Sequence, residues 1–154
     1  LKRIKGQDIS KYISQYFSKQ FETVGIKFSC SKEFNEIVIV DLPSRIYPVF
    51  INIVNNSIYW VQRKERNNRE ILISVHKNEV MISDDGPGVD ADDLESLFTL
   101  FFTRKQKGGR GVGLYLCKQN LMAAGHSIRY ETIEKYKKLS GANFVITFKG
   151  LSHG

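Results

Sequence analysis

The sequence predicts an α+β fold, a two-layer sandwich in which a mixed, mostly antiparallel sheet is covered by three helices. The chain has 154 residues, of which 42% are hydrophobic and 25% are charged, which is the size and balance of one globular domain. Its hydrophobic patterns follow the order α-β-β-α-β-β-α-β-β, without a linker or a repeat. Strands in adjacent pairs favour antiparallel pairing, whereas a doubly wound sheet would require strict alternation of strand and helix.

Apolar residues at helical or alternating spacing locate each element. Helices are predicted at 8–21, 43–61 and 112–124, with a short one at 92–97. Strands are predicted at 26–30, 36–40, 71–75, 80–82, 128–133 and 144–148. Gly25 and Gly125 follow the first and third helices, at positions where glycine readily ends a helix. The segments 62–70, 98–109 and 135–138 are rich in polar residues, cations or glycines and are predicted to be loops.

The chain carries an excess of positive charge. Lysine and arginine number 23 against 16 acidic residues, a formal net charge of +7. This excess indicates an anionic partner, and nucleic acid, acidic lipid and nucleotide phosphate all satisfy it. Cys30 and Cys117 match no metal or redox spacing, so we expect idle thiols in a reducing compartment.

From the sequence we expect neither a membrane span nor a signal peptide in this chain. No apolar run reaches the ~18 residues of a membrane span, and the basic segment 1–6 lacks the apolar region of a signal peptide. We therefore expect a cytoplasmic location, with no direct membrane insertion by this domain. Because the chain starts at Leu1 rather than at methionine, we expect a fragment of a longer protein, with 1–24 as an N-terminal helical region of a single domain, 1–154.

A run of asparagines lies inside the second predicted helix. Asn52 and Asn56 are one helical turn apart and share a face. Asparagine is a poor helix former, and its amide oxygen is a hard ligand suited to Mg²⁺. The segment therefore indicates either a magnesium site or a solvated polar stripe.

An Asp-Asp-Gly-Pro-Gly-Val segment, 84–89, follows a predicted strand directly. Glycines let the backbone turn sharply and let a flat ligand approach, and an aspartate at a strand end can accept a hydrogen bond from an exocyclic amine. A plain turn would use the same residue types. The spacing excludes an EF-hand, because no further acidic ligands follow.

A glycine-rich segment, 108–114, leads into the third predicted helix. Glycines at a helix start leave N–H groups free, and the helix dipole adds positive potential, which suits phosphate. Arg104, Lys105 and Lys107 precede the segment and Arg110 lies inside it, so cations are available for phosphate oxygens. The pattern is neither a Walker A loop nor a dinucleotide-binding fingerprint, since no GK[ST] follows it and no strand precedes it.

Together and in this order, the segments resemble the nucleotide-binding boxes of the GHKL ATPase superfamily, most closely the catalytic ATP-binding domain of sensor histidine kinases. PSRIYPVFINIVNNS, 43–57, resembles the N box, and 84–89 resembles the G1 box. LFTLFFTRK, 97–105, is similar to the F box, and 109–114 is similar to the G2 box. AAGHSIRYE and GANFVITF resemble the closing strands, so the resemblance covers about 25–148.

The resemblance implies the superfamily's two-layer sandwich and a site for ATP and Mg²⁺. Asn56 would be the main Mg²⁺ ligand with Asn52 in support, Asp84 would accept from the adenine amine, and 98–109 would be the lid over ATP. The nucleotide-binding set it implies is Asn52, Asn56, Tyr59, Asp84, Gly86, Gly88, Val89, Phe101, Lys105, Lys107, Gly109, Arg110, Gly111, Val112, Gly113 and Leu114.

Three positions, 52, 59 and 60, depart from patterns found in the superfamily. Asn52 stands where the hydrolytic relatives carry a glutamate that activates water, and a neutral amide cannot act as a general base. This favours phosphotransfer over hydrolysis. Tyr59 and Trp60 stand where kinases often have lysine and tyrosine, so one phosphate contact is missing, and Arg63 or the lid cations would have to replace it. For Trp60 we expect a packing role.

The resemblance implies a histidine kinase-type phosphotransferase whose acceptor histidine lies outside this chain. His76, His126 and His153 do not fit an acceptor helix, and we interpret them as structural or incidental. The implied partners are a dimerisation and phosphoacceptor domain and a downstream response regulator, with no nucleic acid. The alternative is a GHKL nucleotide-binding or switch module without kinase activity. No residue is assigned a catalytic role.

Overall fold

The computed structural model describes residues 1–63, 65, 68–105 and 109–154. Lys107, which belongs to the predicted nucleotide-binding set, lies outside these residues, as do parts of the predicted loops 62–70 and 98–109. The strands are β1 (Lys2–Lys5), β2 (Ile26–Cys30), β3 (Ile37–Asp41), β4 (Arg69–His76), β5 (Glu79–Asp84), β6 (Ser127–Tyr130), β7 (Asn143–Thr147) and β8 (Ser152–His153). The helices are α1 (Gly6–Tyr16), α2 (Ser18–Val24), α3 (Lys32–Asn35), α4 (Pro43–Val61) and α5 (Gly113–Ala123), with 3₁₀ helices at Ala91–Ser96 and Glu134–Tyr136.

The main sheet has five strands in the order β2-β4-β5-β7-β6. β2 runs parallel to β4, and the other three pairings are antiparallel. The prediction of a mixed, mostly antiparallel sheet is therefore confirmed. β4 and β5 form a hairpin whose turn places Lys77 at a φ of 56°, at the predicted turn position.

A second, antiparallel sheet has the order β1-β3-β8 and was not predicted as a separate layer. β1 and β8 were missed because they are four and two residues long, and only one residue of β1 is buried. They gain their order from pairing with β3, a long-range contact that local periodicity does not record.

The helices are more numerous than the three predicted. The first predicted helix, 8–21, is two helices, since the chain leaves helical geometry at Phe17 (φ −104°, ψ 12°). Phe17 is 1% exposed, so the break inserts its ring into the core. The four-residue α3 was also missed. By contrast, α4 has the predicted bounds, and α5 differs from its prediction by one residue at each end.

The core lies between the helices and the main sheet. Phe50 on α4 stacks on Phe148 with ring centroids 6.4 Å apart, and Phe144 on β7 contacts Tyr130 on β6 edge-on at 5.5 Å. Burial of such large rings dominates the stabilisation of a core. Within the described residues, none of the helices has the length and apolar character that a membrane span requires.

A buried polar cluster ties the second sheet to the C-terminal strands. His126 Nδ1 accepts from the backbone N–H of Lys149 at 2.9 Å, so its Nε2 carries the proton and donates to Asp41 Oδ2 at 2.7 Å. The other Asp41 oxygen accepts from the backbone N–H of Leu42 and from Arg45. These partners outweigh burial and hold the pKa of Asp41 below its ordinary value. His126 is therefore a structural histidine.

The two cysteines have protonated thiols. Burial raises the pKa of Cys30 to about 11 and that of Cys117 to about 12. A thiol is a nucleophile and a metal ligand only as the thiolate. Both cysteines are thus inert at neutral pH, in line with the sequence-based expectation.

Candidate functional site

Helix α4 is amphipathic, and its polar side faces a cleft. The buried positions recur at helical spacing and are Ile46, Val49, Phe50, Ile53, Val54, Ser57, Ile58 and Val61. The opposite side presents Asn52, Asn55, Asn56 and Trp60. Apolar packing on one face therefore fixes the orientation of the asparagines on the other.

The cleft has a volume of about 440 Å³. Its walls are α4, the loop that follows β5, the segment around 97–105, and the start of α5. The lining residues are Asn52, Asn55, Asn56, Trp60, Pro87, Gly88, Val89, Asp90, Asp93, Leu97, Phe102, Thr103, Arg104, Lys105, Gly109, Arg110, Gly111, Val112, Gly113 and Leu114. The size is within the range of small-molecule sites.

Asp84, the last residue of β5, lies fully buried behind this lining. Its Oδ1 accepts from the backbone N–H groups of Gly86, at 2.9 Å, and Ala142, at 3.2 Å. Burial is the dominant effect and raises the pKa of Asp84 to about 6, against these two hydrogen bonds and the smaller opposing effect of the nearby Ser57 hydroxyl. Among the described residues, its Oδ2 has no hydrogen-bond partner. A buried acceptor without a donor is costly.

Gly141 holds Asp84 in place and was not predicted as a site residue. A Cβ at this glycine would lie 2.5 Å from Asp84 Oδ1 and 2.6 Å from the backbone nitrogen of Gly86. Gly141 N–H also donates to the Asp84 carbonyl at 2.9 Å. The sequence assigned 141–148 to a closing strand, and no local signal indicated that its first residue packs against a residue 57 positions earlier.

The loop after β5 is held by a residue of β6, an edge strand of the main sheet. Gly88 has a φ of 79°, a conformation that favours glycine. The hydroxyl of Tyr130 on β6 accepts from the backbone N–H of Val89 at 3.0 Å. Tyr130 was also missed, because its role depends on the order of strands in the sheet.

The glycine-rich segment contacts the aromatic residues before it. The backbone N–H of Phe101 donates to the Gly111 carbonyl at 2.8 Å. Gly111 has a φ of 69°, and a Cβ there would lie 2.4 Å from the carbonyl carbon of Phe101. This close approach requires glycine. Gly113, the first residue of α5, lies across the cleft from α4, since a Cβ there would be 3.8 Å from Asn52 Oδ1.

Two adjacent cations of the segment 97–105 have different environments. Arg104 makes a bidentate ion pair with Asp93, with N–O distances of 2.8 and 3.1 Å, which lowers the pKa of Asp93. Lys105 instead has its ammonium 5.1 Å from the centre of the Tyr59 ring. Burial lowers the pKa of Lys105 below its ordinary value. Both line the cleft, but among the described residues a carboxylate pairs with Arg104 and none pairs with Lys105.

The structure brings most of the predicted site residues together. Those that line the cleft are Asn52, Asn56, Gly88, Val89, Lys105, Gly109, Arg110, Gly111, Val112, Gly113 and Leu114. Four described members of the predicted set are not among the lining residues: Tyr59, Asp84, Gly86 and Phe101. Phe101 is 73% exposed, and Phe102 lines the cleft in its place.

Trp60 and Asp93 line the cleft without having been predicted to do so. We expected Trp60 to have only a packing role, but it also forms part of the wall of the cleft. The signal was present, since Trp60 is one helical turn beyond Asn56. Asp93 gave no signal, because its burial depends on the ion pair with Arg104.

The donor set suits a magnesium ion only in combination with ligand oxygens. Within the described ranges, no three His, Cys, Asp or Glu side chains gather as metal ligands. Asn52 and Asn56 offer amide oxygens, which are hard ligands. Mg²⁺ commonly takes one or two protein oxygens and completes its shell with water and substrate phosphates, and this arrangement fits that pattern.

Comparison with known proteins identifies the family. The family model described as histidine kinase-, DNA gyrase B- and HSP90-like ATPase matches residues 41–151. The chain belongs to this ATPase family. The match spans α4, both glycine-containing segments and the closing strands, which confirms the resemblance to the GHKL superfamily.

Curated relatives of this family member are sensor kinases. The chain is 27% identical to the sensor protein ChvG of Agrobacterium fabrum over 146 residues, 88% of this chain and 24% of that protein. It is 34% identical to the sensor protein kinase PilS of Pseudomonas aeruginosa over 113 residues, 69% of this chain and 20% of that protein. The chain thus spans about a quarter or less of the length of these relatives.

Solved structures show the same fold. The catalytic domain of histidine kinase ThkA has a TM-score of 0.73 and 23% identity, covering 94% of this chain and 92% of that one. The mycobacterial sensor histidine kinase MprB has a TM-score of 0.73 and 16% identity, covering 99% and 98%. The fold of this family member is therefore that of histidine kinase catalytic domains.

Proposed function

We propose that this chain binds ATP with Mg²⁺ and positions the γ-phosphate for transfer to a histidine on another domain or chain. The observation that carries the proposal is the arrangement of the cleft. A buried carboxylate oxygen without a donor lies behind one end, and a glycine-rich helix start with Lys105 and Arg110 lies at the other. Adenine requires the first feature, and a triphosphate requires the second.

At the base end, Asp84 selects adenine. Its Oδ2 accepts from the exocyclic amine, which supplies the donor that this buried atom lacks. Gly86 and Gly88 leave the pocket floor free of side chains, and Trp60 and Val89 supply apolar wall. This division of labour is common in nucleotide pockets, where polar groups orient the base and apolar groups hold it.

At the phosphate end, backbone N–H groups at the start of α5 bind phosphate oxygens, aided by the helix dipole. Lys105 and Arg110 add positive charge, and Asn56, supported by Asn52, would hold a magnesium ion. When bound, such an ion would offset negative charge on the phosphates. Catalysis by this chain would then consist of positioning and electrostatic stabilisation.

The chain is expected to hydrolyse ATP very slowly. Asn52 replaces the glutamate that would activate water, and an amide cannot take a proton at neutral pH. We expect turnover far below the ~1 s⁻¹ at the lower end of typical enzyme rates. A coupled phosphate-release assay measures it, and steady turnover of ~1 s⁻¹ or more would show that Asn52 does not prevent hydrolysis.

Gly111→Ala is expected to weaken ATP binding about tenfold or more. The new Cβ would collide with the backbone of Phe101 and displace the phosphate-binding segment. Gly150→Ala is a matched control, because Gly150 also has a left-handed backbone (φ 78°) but nothing lies within 4 Å of its Cβ position. In both variants, alanine bears the conformational cost of φ > 0. The difference between their ATP affinities, measured by calorimetric titration, therefore reports the effect of the collision. Equal affinities in the two variants would contradict the assignment.

We also propose the setting of the reaction. The relatives are sensor kinases, and ThkA has been solved in complex with the response regulator TrrA. By analogy, this chain acts in the cytoplasm with a dimerising phosphoacceptor domain and a response regulator. Incubating the longest natural protein that contains this chain with γ-labelled ATP tests the proposal. Label on histidine, labile in acid and stable in base, supports it.

A nucleotide-binding module without kinase activity is the second candidate, and the tyrosine at position 59 favours it. A lysine there would contribute a phosphate contact, and Tyr59 does not line the cleft. ATP binding without any labelled protein in the same experiment would support the module and overturn the kinase assignment.

A further inference from the structure

Lys105 is a cation at the phosphate end of the cleft that no carboxylate neutralises. Throughout the ranges that the structure describes, no acidic side chain forms an ion pair with it, in contrast to the neighbouring Arg104, which Asp93 binds through two hydrogen bonds. The backbone N–H of Lys105 donates to the Thr103 hydroxyl at 3.1 Å, which fixes the local turn. Its ammonium contacts the ring of Tyr59.

Tyr59 is itself fixed by a second cation. The guanidinium of Arg63, one helical turn further along, lies 4.5 Å from the centre of the Tyr59 ring. Arg63 Nη2 also donates to the Tyr59 hydroxyl at 2.7 Å. The ring of Trp60 contacts the Tyr59 ring edge-on at 4.9 Å. These contacts restrict the ring on which Lys105 rests.

We propose that Tyr59 is a positioning residue, which holds the Lys105 ammonium at the cleft for a nucleotide polyphosphate while Arg63 fixes the Tyr59 ring. The inference rests on the proposed function and deepens it. An aromatic ring attracts a cation through its quadrupole but carries no net charge. Lys105 is therefore positioned without being neutralised, and its charge stays available to phosphate. A carboxylate in place of Tyr59 would compete with the phosphate oxygens.

This interpretation changes the meaning of the tyrosine at position 59. Tyr59 is absent from the cleft lining, so its effect on a ligand is indirect, and its contact with Lys105, which does line the cleft, provides a route. The positive charge that a lysine at position 59 would supply comes from the lid instead. The contact also links α4 to the lid, because Tyr59 belongs to the helix and Lys105 to the segment that follows the phenylalanines.

The test compares Tyr59→Leu, Tyr59→Phe, Lys105→Ala and the double variant Tyr59→Leu/Lys105→Ala by calorimetric titration with ATP and AMP. Tyr59→Leu should weaken ATP binding about tenfold, because the loss of a partly buried cation–ring contact releases the Lys105 ammonium from the cleft. It should leave AMP binding unchanged. Tyr59→Phe retains the ring and should stay within about threefold of wild type. The double variant should bind ATP as Lys105→Ala does, since both changes remove one interaction.

The inference would be overturned if Tyr59→Leu weakened the binding of AMP and of ATP equally, or left ATP affinity unchanged. It would also be overturned if the losses of ATP affinity in the two single variants added up in the double variant. A wild-type protein that binds no adenine nucleotide would overturn the proposed function, and this inference with it. Wild-type ATP binding together with an inert Tyr59→Leu change would overturn this inference alone.

Discussion

Asp84→Asn is expected to abolish measurable ATP binding while making the nucleotide-free protein more stable. The adenine amine would meet an amide instead of a carboxylate, and the charge-assisted hydrogen bond would be lost. Such bonds, once desolvated, contribute about 1.5–3 kcal/mol, and an amide N–H facing the amine adds repulsion. We therefore expect a loss of at least ~100-fold in affinity, measured by calorimetric titration.

The same substitution removes a buried charge. Burial raises the pKa of Asp84 to about 6 from an ordinary value of 3.8, a difference that corresponds to about 3 kcal/mol. Because the folded-state pKa is raised, the favourable contribution of this carboxyl is present below pH ~4 and is lost as the pH rises through about 6. Asp84→Asn should thus be more stable than wild type at pH 8, and the difference should shrink at pH 5.

Urea unfolding at the two pH values measures this effect, with Asp85→Asn as the matched control. Asp85 is partly exposed, and its Oδ1 accepts from the backbone N–H of Glu70, a bond that asparagine can retain. The control should bind ATP with near wild-type affinity. A destabilised Asp84→Asn at pH 8 would contradict the cost of the buried charge, and normal ATP binding by this variant would contradict the role of Asp84 in base binding.

Asn56→Ala is expected to remove the effect of Mg²⁺ on ATP binding. In the wild type, adding Mg²⁺ should strengthen ATP binding, because Asn56 would hold the ion in the cleft and the ion would offset the negative charge of the phosphates. In the variant, titrations with Mg²⁺ and with a chelator should give the same affinity. Alanine is the better helix former by about 0.5 kcal/mol, so the variant should remain folded.

Asn120→Ala is the control for this prediction, since Asn120 is exposed on α5 and does not line the cleft. It should retain the full Mg²⁺ dependence. Asn52→Ala should reduce that dependence without removing it. If the Mg²⁺ effect survives in Asn56→Ala, then Asn56 is not the principal ligand.

Features that depend on local sequence were predicted well. The bounds of α4 were correct because Pro43 is favoured in the first turn of a helix and apolar residues recur along it. The cleft-lining glycines 109, 111 and 113 were also identified, since their spacing at a helix start has a direct physical meaning. The strand pairs were recognised from their adjacency, and the antiparallel character of the sheet followed from it.

Features that depend on distant contacts were not predicted. Gly141 supports Asp84 only because β7 lies beside β5 in the sheet. Asp93 in the 3₁₀ helix 91–96 pairs with Arg104, eleven residues later, and no periodicity records this contact. The second sheet was missed because β1 and β8 take their conformation from β3. Tyr59 was assigned to the site, but only the structure shows that it contacts Lys105.

The selectivity of the wild-type chain between ATP and GTP tests the central claim most directly. Guanine carries a carbonyl where adenine carries its amine, and a carbonyl facing Asp84 would place two acceptors together. Calorimetric titration with Mg²⁺ at pH 7.5 should give clear ATP binding and GTP binding weaker by about 100-fold or more. Equal affinities for the two nucleotides, or no binding of ATP, would contradict the assignment of this cleft as an adenine nucleotide site.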